Sequence, residues 1–529
     1  MGGGLLQLVA YGAQDAYITG NPQITFWKGL YKRHTNFAME PFRVNFSGQS
    51  QWGTKQTAII GRHADLLYST YIEVVLPKDG PTGYSDFLWN NDQGALGFNL
   101  IKYVELDIGG QIIDRLYGEW LYLWSALTSN STTLEKTKNL VSGPCDSIGA
   151  SSLSNGVGCG TSGRQVKPNV LYIPLSFFYT KNPGAALPLI ALQYHEVKIN
   201  IYWNENQTIA GNYTQASKVP PAVQAAIYID YIYLDTEERR RMAQGSHEYL
   251  IEQTQYNEDK GIVSANNRID LTFNHPVKEL VWVVQPSYYK DCSLMAGVAG
   301  PKTYYNVLAV PAFYSGNYSG TGLRLDVVSN GNSYTVINVS DGGSGFSTTS
   351  QSNLGIKGSL LGGVDGTNND ILINCTFTSS TVTNTDLTLI NNNLIGYPAQ
   401  QYTRLMPLTY DVDPVYEQWL QINGQDRMDR RYSDYFNRVQ SFQHHTGSLS
   451  ASPATAGVFS YSFALKPEEN QPSGTCNFSR IDTATIVMNL GDTLINDSPD
   501  YQNWDVRVYA VNYNILRVMS GMAGLAYSN

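Results

Sequence analysis

An ordered internal duplication sets the tightest limit on what this chain folds into. Ile108-Gly109-Gly110-Gln111, followed by Asp114-Arg115 and Tyr117, is matched by Ile422-Asn423-Gly424-Gln425, followed by Asp429-Arg430 and Tyr432. Further along, Ser176-Phe177 answers to Ser462-Phe463, and Val197-Lys-Ile199-Asn200-Ile201 to Ile486-Val-Met488-Asn489-Leu490. Asp230-Tyr231 with Leu234 then matches Asn512-Tyr513 with Leu516. Each match is short, but all fall in the same order in both halves, which is how a repeated structural module reads in sequence. Two related modules follow, with their boundary near Thr236–Gln255.

Both modules read as β. Period-two alternation recurs at Val197, Ile199, Ile201 and Trp203, at Ile269, Leu271 and Phe273, and at Val506, Val508 and Ala510, so each strand buries one face against a second sheet. Turn clusters such as Asn90-Asn91-Asp92, Gly109-Gly110 and Asn182-Pro183-Gly184 space these strands at the short intervals of a sandwich. Few helices are expected. The best runs from Glu237 to Gln253 behind the cap Asp235-Thr236, with Gly245 an interruption, and shorter ones fit near Tyr117–Leu127 and Pro414–Leu420. Residues 304–393, poor in charge and dense in Gly, Ser, Thr and Asn, lengthen the second module; alternation in Leu323-Arg-Leu325-Asp-Val327 makes them a small β insert in a loop.

At 529 residues the chain exceeds what one core usually organises. Charged residues make up 15% and the net charge is -9, which repels polyanions and argues against direct specific nucleic-acid binding. Five cysteines form no disulfide framework and fit a reducing compartment; Cys145 and Cys159 share one loop but are expected as thiols. No run of about 18 apolar residues exists, and the start lacks a secretory pattern. Met1-Gly2-Gly3-Gly4-Leu5-Leu6 has Leu where a myristoylation signal wants Ser or Thr, and reads as a glycine arm.

Several runs resemble the major capsid proteins of nucleocytoplasmic large DNA viruses, of the mimivirus, phycodnavirus and iridovirus kind. They are Leu5-Leu6-Gln-Leu-Val-Ala-Tyr-Gly-Ala-Gln14, Thr19-Gly-Asn-Pro-Gln-Ile-Thr25, Tyr31-Lys-Arg-His-Thr-Asn-Phe37 and Leu234-Asp-Thr-Glu-Glu-Arg-Arg-Arg241 near the start and boundary. Near the end stand Phe463-Ala-Leu-Lys-Pro-Glu-Glu469, Gln471-Pro-Ser-Gly-Thr-Cys-Asn-Phe-Ser-Arg-Ile-Asp482 and Tyr509-Ala-Val-Asn-Tyr-Asn-Ile-Leu-Arg517. The resemblance implies an all-β chain of two consecutive eight-stranded jelly rolls. It divides as an arm over 1–22, a first jelly roll over 23–236, a connector over 237–255 and a second jelly roll over 256–529, with 304–393 inserted.

The implied role is structural. Three chains close into a pseudo-hexagonal capsomer that tiles an icosahedral virion shell, assembled in the host cytoplasm. The implied partners are two further copies, neighbouring capsomers and minor capsid or cement proteins, with an internal membrane and host-surface glycans as further candidates. Trimer contacts are expected in the aromatic loops and at Tyr117–Leu127 and Asp429–Val439. A virion surface fibre or glycan-binding β protein is the alternative.

The sequence offers no enzyme, metal or cofactor site. It has no phosphate loop, zinc helix or nucleophile elbow. His247-Glu248 and His444-His445 lack metal spacing and read as ordinary surface or interface histidines. Asp365, Asn368 and Asp370 lack the acidic end ligand of a calcium loop, and Glu237-Glu238-Arg239-Arg240-Arg241 reads as ion pairing. Asn-x-Ser/Thr sequons occur at Asn45, Asn130, Asn206, Asn212, Asn317, Asn338, Asn374, Asn477 and Asn496. Asn317 and Asn338, in the insert, are the candidate glycan attachment sites.

Overall fold

The computed structural model describes residues 3–76 except 28 and 30, 95–142, 169–205, 223–286 except 263, 415–447, 457–490 and 504–527, with strand segments between 302 and 389. Its first unit contains β1 (Phe37–Asn45), β2 (Lys55–Ile60), β3 (Leu66–Leu76), β4 (Ile101–Ile108), β5 (Gln111–Tyr117), β6 (Asn169–Pro174), β7 (Val197–Trp203) and β8 (Gln224–Leu234). They form two antiparallel sheets, in the orders β1-β8-β3-β6 and β2-β7-β4-β5.

The second unit repeats this. It comprises β9 (His247–Ile262), β10 (Asn266–Asp270), β11 (Pro276–Pro286), β12 (Val415–Ile422), a broken β13 (Gln425–Asp426 and Arg431–Tyr432), β14 (Val458–Ser462), β15 (Ala484–Leu490) and β16 (Trp504–Met519). Its sheets run β9-β16-β11-β14 and β10-β15-β12-β13, so adding eight to every label of the first unit gives the second. This is the strand order of two jelly rolls in tandem, and each sequence match falls at equivalent places. Gly109 (φ 63°) and Gly110 (φ 88°) make the tight turn from β4 to β5, and Asn423 (φ 51°) and Gly424 (φ 76°) the one from β12 to β13. Two consecutive positive φ values define the hairpin turn that suits the strand twist, which is why the repeat is best preserved there.

Alternation fills each barrel. Ile72, Val74, Leu106, Ile199, Ile227 and Ile229 line the first core; Leu280, Trp282, Val284, Ile486, Met488 and Val508 line the second. β16 departs from alternation, since every residue from Trp504 to Asn514 is buried. A strand buried on both faces lies between two layers, and the layer on its outer face is supplied by the first unit.

The helices differ in part from the sequence reading. Tyr117–Leu127 is helical as α1 (Gly118–Thr128), followed by α2 (Ser131–Ser142). The expected helix over 237–253 ends at Gln244 as α3 (Thr236–Gln244). Gly245 takes extended angles (φ -79°, ψ 150°), and from His247 the chain pairs with β16 residue for residue. Fourteen such partners offer more than one further helical turn, so the connector expected over 237–255 contracts to the short helix and its flanks. Pro414–Leu420 likewise is not helical: Val415–Ile422 is β12, held between β15 and β13.

Between β11 and β12 the insert forms two small antiparallel sheets. One joins Lys302–Leu308, Thr321–Ser329 and Tyr334–Ser344; the other joins Val310–Pro311, Gln351–Ile356, Ile371–Cys375 and Leu387–Leu389. The expected β insert is therefore present. At the other extreme, residues 3–36 carry two short helices, Gly3–Val9 and Asp15–Thr19, with no buried residue among those described. The arm thus extends past residue 22 to the start of β1.

Candidate functional site: the seam between the barrels

The outer face of the sheet β9-β16-β11-β14 is covered by α1 of the first unit. Val281, Val283, Val458, Tyr509 and Val511 join the first unit's apolar cluster with Trp120, Leu121, Leu123 and Leu127. Trp120 stacks on Tyr509 with centroids 5.3 Å apart, and Tyr117 stacks on Tyr256 at 4.4 Å. Helix α1 is apolar on nearly all sides because it is enclosed on all sides.

Charges are enclosed with it. Arg507, its side chain 1% exposed, donates from Nε to Glu119 Oε2 at 2.8 Å and from Nη2 to Glu119 Oε1 at 2.6 Å. Nη2 also donates to Gln285 Oε1 at 2.7 Å, and the Tyr509 hydroxyl donates to Glu119 Oε2. Burial opposes the Arg507 charge, but Glu119 overrides it and raises the guanidinium pKa. A two-pronged pair braced by Gln285 and the Tyr509 hydroxyl is the geometry that keeps a buried ion pair charged.

A second cluster lies alongside. Lys181 and Lys278 hold Glu252 at 2.8 and 2.5 Å, and Lys278 is wholly buried. Burial works against the Glu252 carboxylate, but the two ammonium groups bring it down to about 2. Trp124 of α1 faces both lysines, with Nζ atoms 4.4 and 5.5 Å from its ring, a cation–π arrangement. Asp114 accepts from the backbone N–H of Thr254 at 3.0 Å and of Arg115 at 2.9 Å, stitching β5 to β9. Burial pushes its carboxyl up to about 7, against those N–H groups and Lys181.

Asp114 gives a signed prediction. Its folded pKa lies above the ordinary carboxylate value, so its contribution is fully present below about pH 4 and is lost as pH rises through about 7. Asp114→Asn keeps the accepting oxygen and removes the titration. Its stability advantage over the parent is expected to grow by about 2–3 kcal/mol between pH 5 and pH 8, read from urea midpoints at the two pH values.

The C-terminal end of α1 is closed by the second unit. Gly447 donates to Leu127 O at 2.7 Å, and a Cβ at Gly447 would lie 2.1 Å from Ala126 O, so only glycine permits this approach. Just before it, His445 Nε2 sits 3.3 Å from Glu279 Oε2 and Nδ1 sits 3.2 Å from Glu468 Oε1, with the His445 and Glu279 side chains enclosed. Glu468 also accepts from Thr446 N and Oγ1. Burial disfavours the charged ring, but the two carboxylates raise it to about 9.

These placements revise several expectations. Tyr117–Leu127 is enclosed within one chain and is therefore not a surface for a neighbour. Asp429–Val439 divides: Phe436 enters its own barrel beside Trp282 at 5.5 Å, while Tyr432, Val439 and, just beyond, Phe442 face outward. His445 is a buried ion-pair partner rather than an ordinary surface histidine, and His247 meets Met242 O. In the Glu237–Arg241 run, Arg239 pairs with Asp65 at 3.0 Å and Arg240 lies 4.0 Å from Glu237. Asn317, Cys145, Cys159, Asp365, Asn368 and Asp370 lie outside the described residues, and Asn338 is described only as part of the strand Tyr334–Ser344. Among the described residues no acid, cysteine or histidine group is arranged to hold a metal.

Comparison with known proteins agrees with this architecture. Residues 25–235 match the family described as major capsid protein N-terminus, and 238–524 the large eukaryotic DNA virus major capsid protein family. The chain is 41% identical to the major capsid protein of Phaeocystis pouchetii virus and 34% identical to that of Paramecium bursaria Chlorella virus 1, in each case over 100% of both chains. The crystal structure of PBCV-1 VP54 superposes with a TM-score of 0.62 at 29% identity, covering 96% of this chain and 100% of that one. The Faustovirus major capsid protein, at 11% identity and a TM-score of 0.56, shares the fold.

Proposed function

This chain belongs to the major capsid protein family of large eukaryotic DNA viruses, and from that membership we propose that three copies of it close into a pseudo-hexagonal capsomer. One observation carries the proposal. Among the described residues, the surfaces equivalent to the two that join the barrels within a chain are left exposed. Within the chain, the helix after β5 covers the outer face of β9-β16-β11-β14. The equivalent segment of the second unit, Tyr435–His444 after β13, presents Phe442 at 88% exposure. The equivalent sheet of the first unit, β1-β8-β3-β6, leaves Tyr71, Tyr172 and Tyr228 half-covered on its outer face, with Tyr71 and Tyr228 stacked at 5.3 Å.

A head-to-tail contact repeated with rotation closes a ring. Two barrels per chain give six similar sides, alternating contacts within and between chains. The capsomer edges then meet neighbouring capsomers and minor cement proteins, with many weak copies of one contact adding up. The role needs surfaces rather than catalysis. The thiol of Cys476, half-buried and free, is in keeping with assembly in the host cytoplasm. We divide the chain into an arm to residue 36, barrels over 37–234 and 247–525, and an outward-facing insert bearing Asn317 and Asn338 as glycan acceptors. Excess intact mass on virion-derived protein, lost in Asn317→Gln with Asn338→Gln, is the result expected for those two sites.

Native mass spectrometry and electron microscopy of the full chain test the capsomer. Threefold, pseudo-hexagonal particles of three-chain mass are expected, and Phe442→Asp is expected to weaken their association about thirtyfold or more. A stable monomer at micromolar concentration would overturn the reading.

A further inference from the structure

The N-terminal arm is an apolar strap with no buried side chain among the described residues. Tyr17, Phe26 and Tyr31 are 93%, 105% and 97% exposed, and Leu8 and Trp27 are 80% and 81% exposed. The short helix Gly3–Val9 carries Leu5, Leu6, Leu8 and Val9, too apolar all round to rest in water on any face. Yet the arm has local order of its own: Gly12 N donates to Asp15 Oδ2 at 2.8 Å, and the hydroxyl of Thr19 to Asp15 O at 2.7 Å.

Resting on the capsomer reading, we propose that the arm docks on a second copy of this chain, across the exposed apolar patch made by Tyr194, Met519 and Met522. Three observations favour that occupant. Tyr17, Phe26, Trp27 and Tyr31 alone offer on the order of 600–1,000 Å², about what each partner contributes to a stable protein contact. The basic stretch Lys32-Arg33 precedes β1 in a chain whose net charge is -9, so a second copy attracts it.

The third observation is position. Phe37, at the arm's root, pairs with Leu234 at the end of β8; α3 follows at once, and β9 then starts opposite Val518. Tyr194 N donates to Gly521 O at 2.9 Å, so the patch combines a loop of the first barrel with the hairpin that ends the second. Tyr194 is 75% exposed, Met519 54% and Met522 49%. Donor root and acceptor patch share one end of the molecule, so a copy rotated about the capsomer axis presents its patch at the height where the arm departs. The non-helical residues of the arm, at ~3.3 Å each, reach roughly 70 Å, enough to cross to a neighbour.

The test places a benzoylphenylalanine at position 26 of the full chain, co-assembles it with isotope-labelled wild-type chain, irradiates, and maps the products by mass spectrometry. Cross-links from the unlabelled position 26 to labelled peptides bearing Tyr194 or Met519–Met522 are expected. In labelled chains carrying Tyr194→Glu with Met522→Glu, their yield is expected to fall about tenfold. Cross-links confined to the arm's own chain, to a different surface of the labelled copy, or to lipid in added anionic vesicles would each overturn the inference. Particles of three-chain mass accompanying such a result leave the capsomer reading intact; a monomeric wild type removes that reading instead.

Discussion

Arg507→Met is expected to cost about 3–5 kcal/mol of stability, because it leaves the Glu119 carboxylate enclosed at the seam without its counter-charge. Arg507 is 1% exposed and Glu119 10%, so water reaches neither readily. The Tyr509 hydroxyl donates one hydrogen bond to Glu119, but a phenol does not replace a guanidinium with two donors. The decisive comparison is the pair. Glu119→Gln combined with Arg507→Met removes both charges, and a buried ion pair exchanged for neutral groups of similar size is often close to neutral. The double variant is therefore expected to recover most of the loss in urea unfolding, with a coupling energy of several kcal/mol. Equal, additive losses from the two single changes would show that the pair is not coupled. The Arg507 variant is also expected to be cut sooner by protease in the 235–246 connector, because a weakened seam favours sub-global opening between the barrels.

How much of this was legible in the sequence differs by distance along the chain. The hairpin turns at Gly109-Gly110 and Asn423-Gly424 were readable because positive φ restricts the residue choice locally. Strands such as Val197–Trp203 announced themselves by alternation, and the family by its terminal motifs; Trp504–Met519 showed as a strand, but not that both its faces are covered. What was missed depends on which face meets which. Glu119 and Arg507 lie 388 positions apart, and nothing near either reveals the other. Tyr117–Leu127 was expected to meet another copy from its place after the glycine turn, but it is covered by the second half of the same chain. The stretch after Gly245 shows why local propensity lost: Tyr249, Leu250 and Glu252 fit a helix, yet β16 offers an edge that pairs from His247 onward.

The doubled tyrosine surface on β1-β8-β3-β6 and the enclosed helix α1 belong to one design. A duplicated jelly roll starts with two equal helix segments and two equal sheet faces. One helix–sheet pair was closed within the chain and reinforced with enclosed charges. Among the described residues the other pair is left exposed, with Phe442 on the helical segment and Tyr71, Tyr172 and Tyr228 on the sheet, and its charges, such as Arg438 paired with Asp434, lie in solvent. An internal contact has no need to dissociate, so buried charge that fixes its register is tolerable. A contact between subunits forms from solvated surfaces, and aromatic groups lose less on desolvation than charges do.

His445 carries the expected response to pH on the alkaline side. Its ring pKa is raised from the ordinary 6.5 to about 9 by Glu279 and Glu468, against the effect of burial. A raised folded-state value means the ring's contribution is fully present below about pH 6.5 and is lost as pH rises through about 9, by then about 3 kcal/mol. The groups around it fix that window: Glu279 from β11, Glu468 and Thr446 from the adjoining loops, and Lys278 next to Glu279. His445→Gln is expected to lose about 3–5 kcal/mol at pH 6, since glutamine brings no charge to an enclosed Glu279. The same change should flatten the stability profile between pH 6.5 and 9, which a substitution harmful only through packing would leave sloping. Glu279→Gln with His445→Gln separates the two terms: it should restore stability near pH 6 while keeping the profile flat. A single variant that unfolds with the parent's alkaline slope would show that the imidazolium does not hold this corner of the seam.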